Sequence, residues 1–261
     1  MKSIPSEHLI LEKVKTPIDY ILFLKHLFAY KFVAHTLTRE DSVLEIGFGD
    51  GYGLNLIAPY GKKGIGVEVR DDLVSNATQK YGNPNCIFQK YDGLDIDFND
   101  GSFDCVISFQ VLEHIHDELR FLKEAKRVLK TGGKLYLSTP NRKYRLTKNQ
   151  LPWNKFHVRE YSSEELRLLI GTIFQHYSIY GVDAPLYIKS AEKFRVLRKK
   201  NYSGLFKRSS FVAIAFFGRI YLRLFNCFYH NNMKKRLSEN LFSMEKGDLD
   251  DCLDLFIICQ K

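Results

Sequence analysis

The feature that most constrains this chain is residues 43–53, VLEIGFGDGYG, an apolar run that ends in four alternating glycines. Val43, Leu44 and Ile46 read as a buried strand that stops abruptly. Gly47, Gly49, Gly51 and Gly53 give the following turn access to positive φ, so its backbone can approach a ligand closely before a helix begins. The spacing argues against two nucleotide-binding patterns. Tyr52 stands where a dinucleotide fingerprint needs its third glycine, and no lysine followed by Ser or Thr closes the loop as a triphosphate site requires.

Strands and helices alternate from this turn onward. KGIGVEV reads as a second strand ending at Glu68, and DDLVSNATQKY as a helix with Asp71 as its N-cap. CIFQKYD and SFDCVISFQ read as the third and fourth strands. Residues 117–129 form a helix with the stripe Phe121, Leu122, Ala125, Val128 and Leu129, and Gly132 and Gly133 turn the chain into KLYLST. A capping box between Ser162 and Glu165 opens a helix with the stripe Leu166, Leu169, Ile170, Ile173 and Phe174. HYSIYGV and CLDLFIICQK supply the last two strands. Upstream, residues 18–37 read as an amphipathic helix that covers the sheet or the site. This pattern predicts an α/β fold with a doubly wound, mostly parallel, seven-stranded sheet, where ligands collect beyond the carboxyl ends of the strands. The glycine turn, Glu68, Asp92 and Gln110 all fall at such ends.

Charge divides the 261 residues unevenly. Residues 186–240 hold 13 lysines and arginines against the two acids Glu192 and Glu239, whereas the formal charge of the whole chain is only +9. The expected organisation is an N-terminal helical cap over 1–42, one domain formed by 43–185 and 241–261, and a helical basic insert over 186–240. Within the insert, FVAIAFFGRIYLRLFNCFY approaches the length of a membrane span. Arg219 and Arg223 interrupt it, each costing about 2.5–3.5 kcal/mol at a bilayer centre, so spanning is not expected. Arg219, Arg223, Asn226 and His230 share one helical stripe, which suits a helix lying in an anionic membrane surface, a lid over the site or a homodimer contact. RNA ranks below these because no aromatic and basic platform in a recognisable binding-module order accompanies the charge. Five cysteines without CxxC spacing read as buried thiols. The opening MKSIPSEHLILEKVK interrupts its apolar residues with charges, so no leader is expected and the protein reads as cytoplasmic.

The order of these strand ends resembles the class I methyltransferases that use S-adenosylmethionine, over about residues 43–174. The resemblance implies that Glu45 and the Gly47, Gly49 and Gly51 backbone surround the methionine part of the cofactor. It implies that Glu68 binds the ribose hydroxyls, Asp92 and Gly93 the adenine side, and that Gln110 closes the fourth-strand motif beside the cofactor. Phe48 stands where many members have a small residue, and Thr131 replaces a proline common before the glycine pair. Glu68 suits the ribose chemically, since one carboxylate accepts two charge-assisted hydrogen bonds from vicinal hydroxyls.

STPNR followed by NKFHVREYSSEEL narrows the resemblance to bacterial enzymes that methylate hydroxyls of glycans, lipids or quinone precursors. In-line transfer to a hydroxyl needs orientation of the acceptor and removal of its proton. His114 and His157 are the candidate bases, with Glu113 beside them. A cofactor-binding protein without activity and an RNA 2′-O-methyltransferase are the alternatives. Glu113 and His114 match a motif with which small-RNA methyltransferases hold a divalent ion, but Gln110 stands where those enzymes have an acid. No metal is therefore expected.

Overall fold

The computed structural model describes residues 16–147, 150–200 and 238–261. Among them, eight strands form one sheet: β1 (Ser42–Ile46), β2 (Lys63–Glu68), β3 (Cys86–Lys90), β4 (Phe103–Phe109), β5 (Leu129–Pro140), β6 (His176–Asp183), β7 (Ser243–Glu245) and β8 (Asp254–Gln260). Their order is β3-β2-β1-β4-β5-β8-β6-β7. The first five run parallel. β8 is antiparallel to both β5 and β6, so the final strand returns beside its expected predecessor. The strand absent from the sequence reading is β7, which pairs antiparallel with β6. Its three residues are too few to show an alternation, and Ser243 and Glu245 are exposed.

Side chains of the central strands alternate between two cores, as a doubly wound sheet requires. Val43, Cys105, Ile107 and Tyr136 face α1 (Pro17–Ala34), α2 (Tyr52–Ile57) and α3 (Asp71–Tyr81). Leu44, Ile46, Val106 and Leu135 face α4 (Glu118–Val128) and α6 (Ser163–Gly171). Ser162 and Glu165 cap α6 reciprocally as expected, and Asp117 caps α4 by accepting from the Arg120 amide at 3.0 Å. Asp71 is not the cap of α3: Arg70 occupies that position in extended conformation. Asp71 and Asp72 instead lie in the first turn, where negative charge complements the helix dipole.

α1 opens with a capping box between Thr16 and Asp19 and has Pro17 in its first turn. Ile21, Leu24, Tyr30 and Val33 are buried in the core on this side, with Phe23, Leu27, Phe28 and Phe32 packed against it. The helix therefore lies over both the sheet and the end of β1.

Of the basic segment, α7 (Leu186–Lys200) begins docked on this core through Ile188 and Ala191. The Tyr144 hydroxyl, from α5 (Arg142–Arg145), donates to the Lys189 carbonyl at 2.6 Å. Arg219, Arg223, Asn226 and His230 lie outside the described residues, as does Cys227. Among the described residues, no helix is long and apolar enough to cross a membrane. Cys86, Cys105, Cys252 and Cys259 are buried free thiols. Burial pushes Cys86 and Cys252 up to about 11 and Cys259 to about 12, which keeps them in the unreactive thiol form.

Candidate active site

The glycine turn is clamped from several sides. Gly47 has φ 76°, and a Cβ there would fall 2.6 Å from Val111 Cγ2. Its amide donates to the Val67 carbonyl at 2.8 Å, which ties the turn to the end of β2. Glu68 follows at that strand end, 3% exposed. Its Oε2 accepts from the Gly49 amide at 3.2 Å, and its Oε1 accepts from the amides of Val69 at 2.8 Å and Arg70 at 3.3 Å. Burial raises the carboxyl pKa, and these three amides oppose the shift. The two strand ends are thus joined through one carboxylate before any ligand enters.

Glu45 sits beneath the turn. Its Oε1 accepts from the Tyr30 hydroxyl of α1 at 2.5 Å, while its Oε2 is buried without a partner. Burial pushes the carboxyl up to about 8, opposed by the Tyr30 hydrogen bond and more weakly by the Leu54 amide, and reinforced by Asp50 and Glu68. The Tyr30 ring lies against Gly53, where a Cβ would approach it to 2.0 Å. Gly53 thus makes room for an aromatic side chain from another element.

At the end of β4, Gln110 has φ 56°, the one non-glycine residue at positive φ among the described residues. Its side-chain amide lies 3.3 Å from both Ser138 Oγ and Asp254 Oδ2. Asp254 in turn pairs with Lys25 of α1 at 2.6 Å in a nearly dry environment. A short 3-10 turn, Leu112–His114, then presents Glu113 and His114. Glu113 Oε2 accepts from Thr139 at 3.0 Å, and burial pushes the carboxyl up to about 7, opposed by His157. The Glu113 carbonyl accepts from the Val158 amide at 2.8 Å, which stitches the His157 loop to this turn.

That stitching brings Glu113, His114 and His157 together. One donor atom of each lies within 4.8 Å of the others, and the two imidazoles meet edge to face at 4.8 Å. His114 Nδ1 lies 2.9 Å from the Phe156 carbonyl and His157 Nδ1 lies 2.8 Å from Glu160 Oε1. Both acceptors favour the proton on Nδ1, which places the lone pair of each neutral ring on Nε2. Such a group can accept a proton or hold a divalent cation.

Asp92 and Gly93 lie just beyond β3, whose end is tied to β2 by the Tyr91 amide and the Glu68 carbonyl at 3.1 Å. Asp92 is exposed, and its Oδ1 accepts from the amides of Leu94 at 2.7 Å and Asp95 at 2.9 Å. These bonds hold its pKa below the usual value.

Residues 44–137 match the family described as "Methyltransferase domain". Over those residues, which are fewer than half of the chain, it is similar to a methyltransferase domain. A Mycobacterium tuberculosis protein named "Probable S-adenosylmethionine-dependent methyltransferase" is 36% identical to it over 166 residues, 63% of this chain and 60% of that protein. A Coxiella burnetii "Ubiquinone biosynthesis O-methyltransferase" is 30% identical over 120 residues, 44% of this chain and 50% of that protein. The chain thus spans less than two thirds of the length of these relatives. In fold, it is similar to a Thermotoga maritima structure described as "SAM-dependent methyltransferase, possible histamine N-methyltransferase", with TM-score 0.55, 23% identity and coverage of 92% of both chains.

The residues at these strand ends fit the S-adenosylmethionine that the resemblance implies. The cofactor carries positive charge, and Glu45 Oε2 is a buried acceptor without a partner below the glycine turn. Glu68 is already oriented by backbone amides. The site also uses residues that sequence reasoning missed. Tyr30 carried a helical signal only, and Thr139 a strand signal only. Glu160 had a readable cue, since it follows His157 by three residues within FHVREY. Arg145 had none: its 3.4 Å contact with Glu160 and its position 4.6 Å over the Trp153 ring are made by folding alone.

Proposed function

We propose that this chain is an S-adenosylmethionine-dependent methyltransferase acting on a hydroxyl oxygen of a glycan, lipid-linked or quinone-like acceptor. The observation that carries the reading is the convergence of Glu113, His114 and His157 at the end of β4. It lies in the same row of strand ends as the glycine turn and Glu68. The name of the Coxiella relative supports the choice of oxygen. When bound, the cofactor supplies a methyl group on a cationic sulfur, open to in-line displacement by the acceptor. Glu45 and the Gly47, Gly49 and Gly51 backbone hold its methionine part, Glu68 its ribose, and Asp92 with Gly93 its adenine side. Gln110 shapes the same wall.

His114 is the base of this reading, and it accepts the acceptor's hydroxyl proton at Nε2 because the Phe156 carbonyl keeps the other proton on Nδ1. His157 and Glu113 border the acceptor and orient it. The test is a methyl-transfer screen with labelled cofactor across sugar nucleotides, glycolipids, quinols and short RNAs. Transfer to a hydroxyl of a glycan, lipid or quinol, reduced about a hundredfold or more in His114→Ala with cofactor affinity retained, supports the reading. Transfer only to RNA or to nitrogen contradicts it.

The same convergence favours a second reading, in which Glu113, His114 and His157 hold a divalent ion that makes the acceptor hydroxyl more acidic. The Phe156 and Glu160 contacts are the outer partners that ligating imidazoles commonly have. A rise in melting temperature with Mn²⁺ or Zn²⁺ that is lost in His157→Ala supports it, and an unchanged melt contradicts it. The basic segment 186–240 adds an anionic membrane surface as the place where a lipid-linked acceptor is met.

A further inference from the structure

Glu45 is 1% exposed and lies on the central strand of the cofactor half of the sheet. Five titratable groups from neighbouring elements act on its carboxyl, while its β4 neighbour is the apolar Ile107. Tyr30 comes from α1, Tyr52 from α2, Asp50 from the glycine turn, Glu68 from β2 and Cys86 from β3. None of these five is a cation. The Tyr30 hydroxyl engages one carboxyl oxygen, while the other oxygen and the Tyr52 hydroxyl are buried without partners. Tyr30 is itself fixed, edge to face with Tyr52 at 5.5 Å and with Phe109 at 5.0 Å. A carboxylate in such a niche is shielded from solvent and has no cation among these groups, which favours its neutral form until a positive group arrives.

We propose that Tyr30 is a positioning residue of the cofactor site, fixing Glu45 so that its unpartnered oxygen serves the cofactor's positive charge, and that cofactor binding drives the Glu45 proton into solvent. This rests on the S-adenosylmethionine reading above. The balance is simple: the Glu45 O–H bond breaks, the proton passes to buffer, the electron pair stays on the carboxylate, and no bond in the cofactor changes. Burial pushes Glu45 up to about 8, so its neutral form is favoured at pH 7, and the cofactor's positive charge reverses that preference. The Tyr30 hydroxyl favours the ionised form, so its removal makes ionisation harder.

The experiment is calorimetry of the intact chain with S-adenosylmethionine from pH 6 to 9, in buffers of differing ionisation enthalpy. The wild-type protein is expected to release ~1 proton at pH 7, and its Kd to fall roughly tenfold per pH unit until the free carboxyl ionises. Glu45→Gln is expected to bind more weakly, with no proton release and little pH dependence. Tyr30→Phe, with its fold checked by circular dichroism, is expected to bind more weakly at pH 7 and to reach its affinity plateau at higher pH. A wild-type complex formed without proton release overturns the inference. So does equal release by Glu45→Gln, which would make Glu68 the source. A Tyr30→Phe profile superimposable on wild type removes Tyr30 from the role. No binding at any pH overturns the cofactor reading, and this inference with it. Should a variant fail to fold, the wild-type proton count decides alone.

Discussion

Glu160 holds His157: its Oε1 lies 2.8 Å from the imidazole Nδ1, in a pair whose side chains are 0% and 2% exposed. The same oxygen lies 3.4 Å from the Arg145 guanidinium, which is 6% exposed. One carboxylate therefore orients a candidate catalytic ring and neutralises a buried cation. Removing one partner of such a pair leaves an uncompensated charge, commonly at a cost of about 3–5 kcal/mol. Glu160→Gln is expected to destabilise the protein by that order in urea denaturation. The double change Glu160→Gln with Arg145→Met should recover part of the loss. A single variant as stable as wild type would show that the pair carries no such role.

Gly53→Ala tests whether α1 belongs to the cofactor half of the fold. The new Cβ would meet the Tyr30 ring, which cannot retreat without disturbing Glu45. Overpacking of this kind costs about 1–3 kcal/mol. The variant is expected to lose that stability in urea and to bind S-adenosylmethionine more weakly. A wild-type urea midpoint would contradict the contact.

Acid should expose the buried ion cluster under α7. Burial opposes the charge of Glu192, but Arg195, Lys25 and Arg145 outweigh it and hold the carboxyl at about 2. With the folded pKa depressed, the unfolded chain binds more protons, so stability is present above about 4.5 and is lost as pH falls toward 2. Wild-type protein is expected to lose roughly 2–4 kcal/mol from this group across that window. Glu192→Gln should start less stable and show a shallower slope, measured by urea denaturation at each pH. Equal slopes would contradict the assignment.

The positions of most strands along the chain were legible because hydrophobic runs and glycine turns are local signals. Val43 to Ile46, Glu68 and the Ser162–Glu165 capping box all fall where that reading put them. β7 was not legible, since a three-residue edge strand borrows its identity from its neighbour β6. The Glu113, His114 and His157 candidates were visible as residue types, but their convergence depends on a loop hydrogen-bonded to the Glu113 carbonyl. Tyr30 and Glu45 are fifteen residues apart and meet only when α1 packs across the sheet. Lys25 and Asp254, from opposite ends of the chain, are the extreme case. A buried polar contact between distant elements leaves no periodicity to read.

The basic segment offers a test that does not depend on the acceptor. Residues 186–240 concentrate lysine and arginine beside an apolar stretch. Each basic residue near an anionic surface contributes about 1 kcal/mol, an attraction that salt screens. The intact chain is expected to co-sediment with anionic vesicles and not with neutral ones. Changing Arg198, Lys199 and Lys200 together to Glu should abolish this and spare cofactor binding. Equal sedimentation with both vesicle types, or with neither, would contradict a charged membrane surface as the partner.

Calorimetry of S-adenosylmethionine with the intact chain and with Glu68→Ala tests the central claim most directly, because Glu68 joins the glycine turn to the second strand end. The wild-type chain is expected to bind, and the folded variant to lose at least about 1.5–3 kcal/mol, the usual worth of hydrogen bonds to a charged group. Unchanged affinity in a folded Glu68→Ala protein, or a wild-type chain that binds a nicotinamide dinucleotide in place of S-adenosylmethionine, would contradict it.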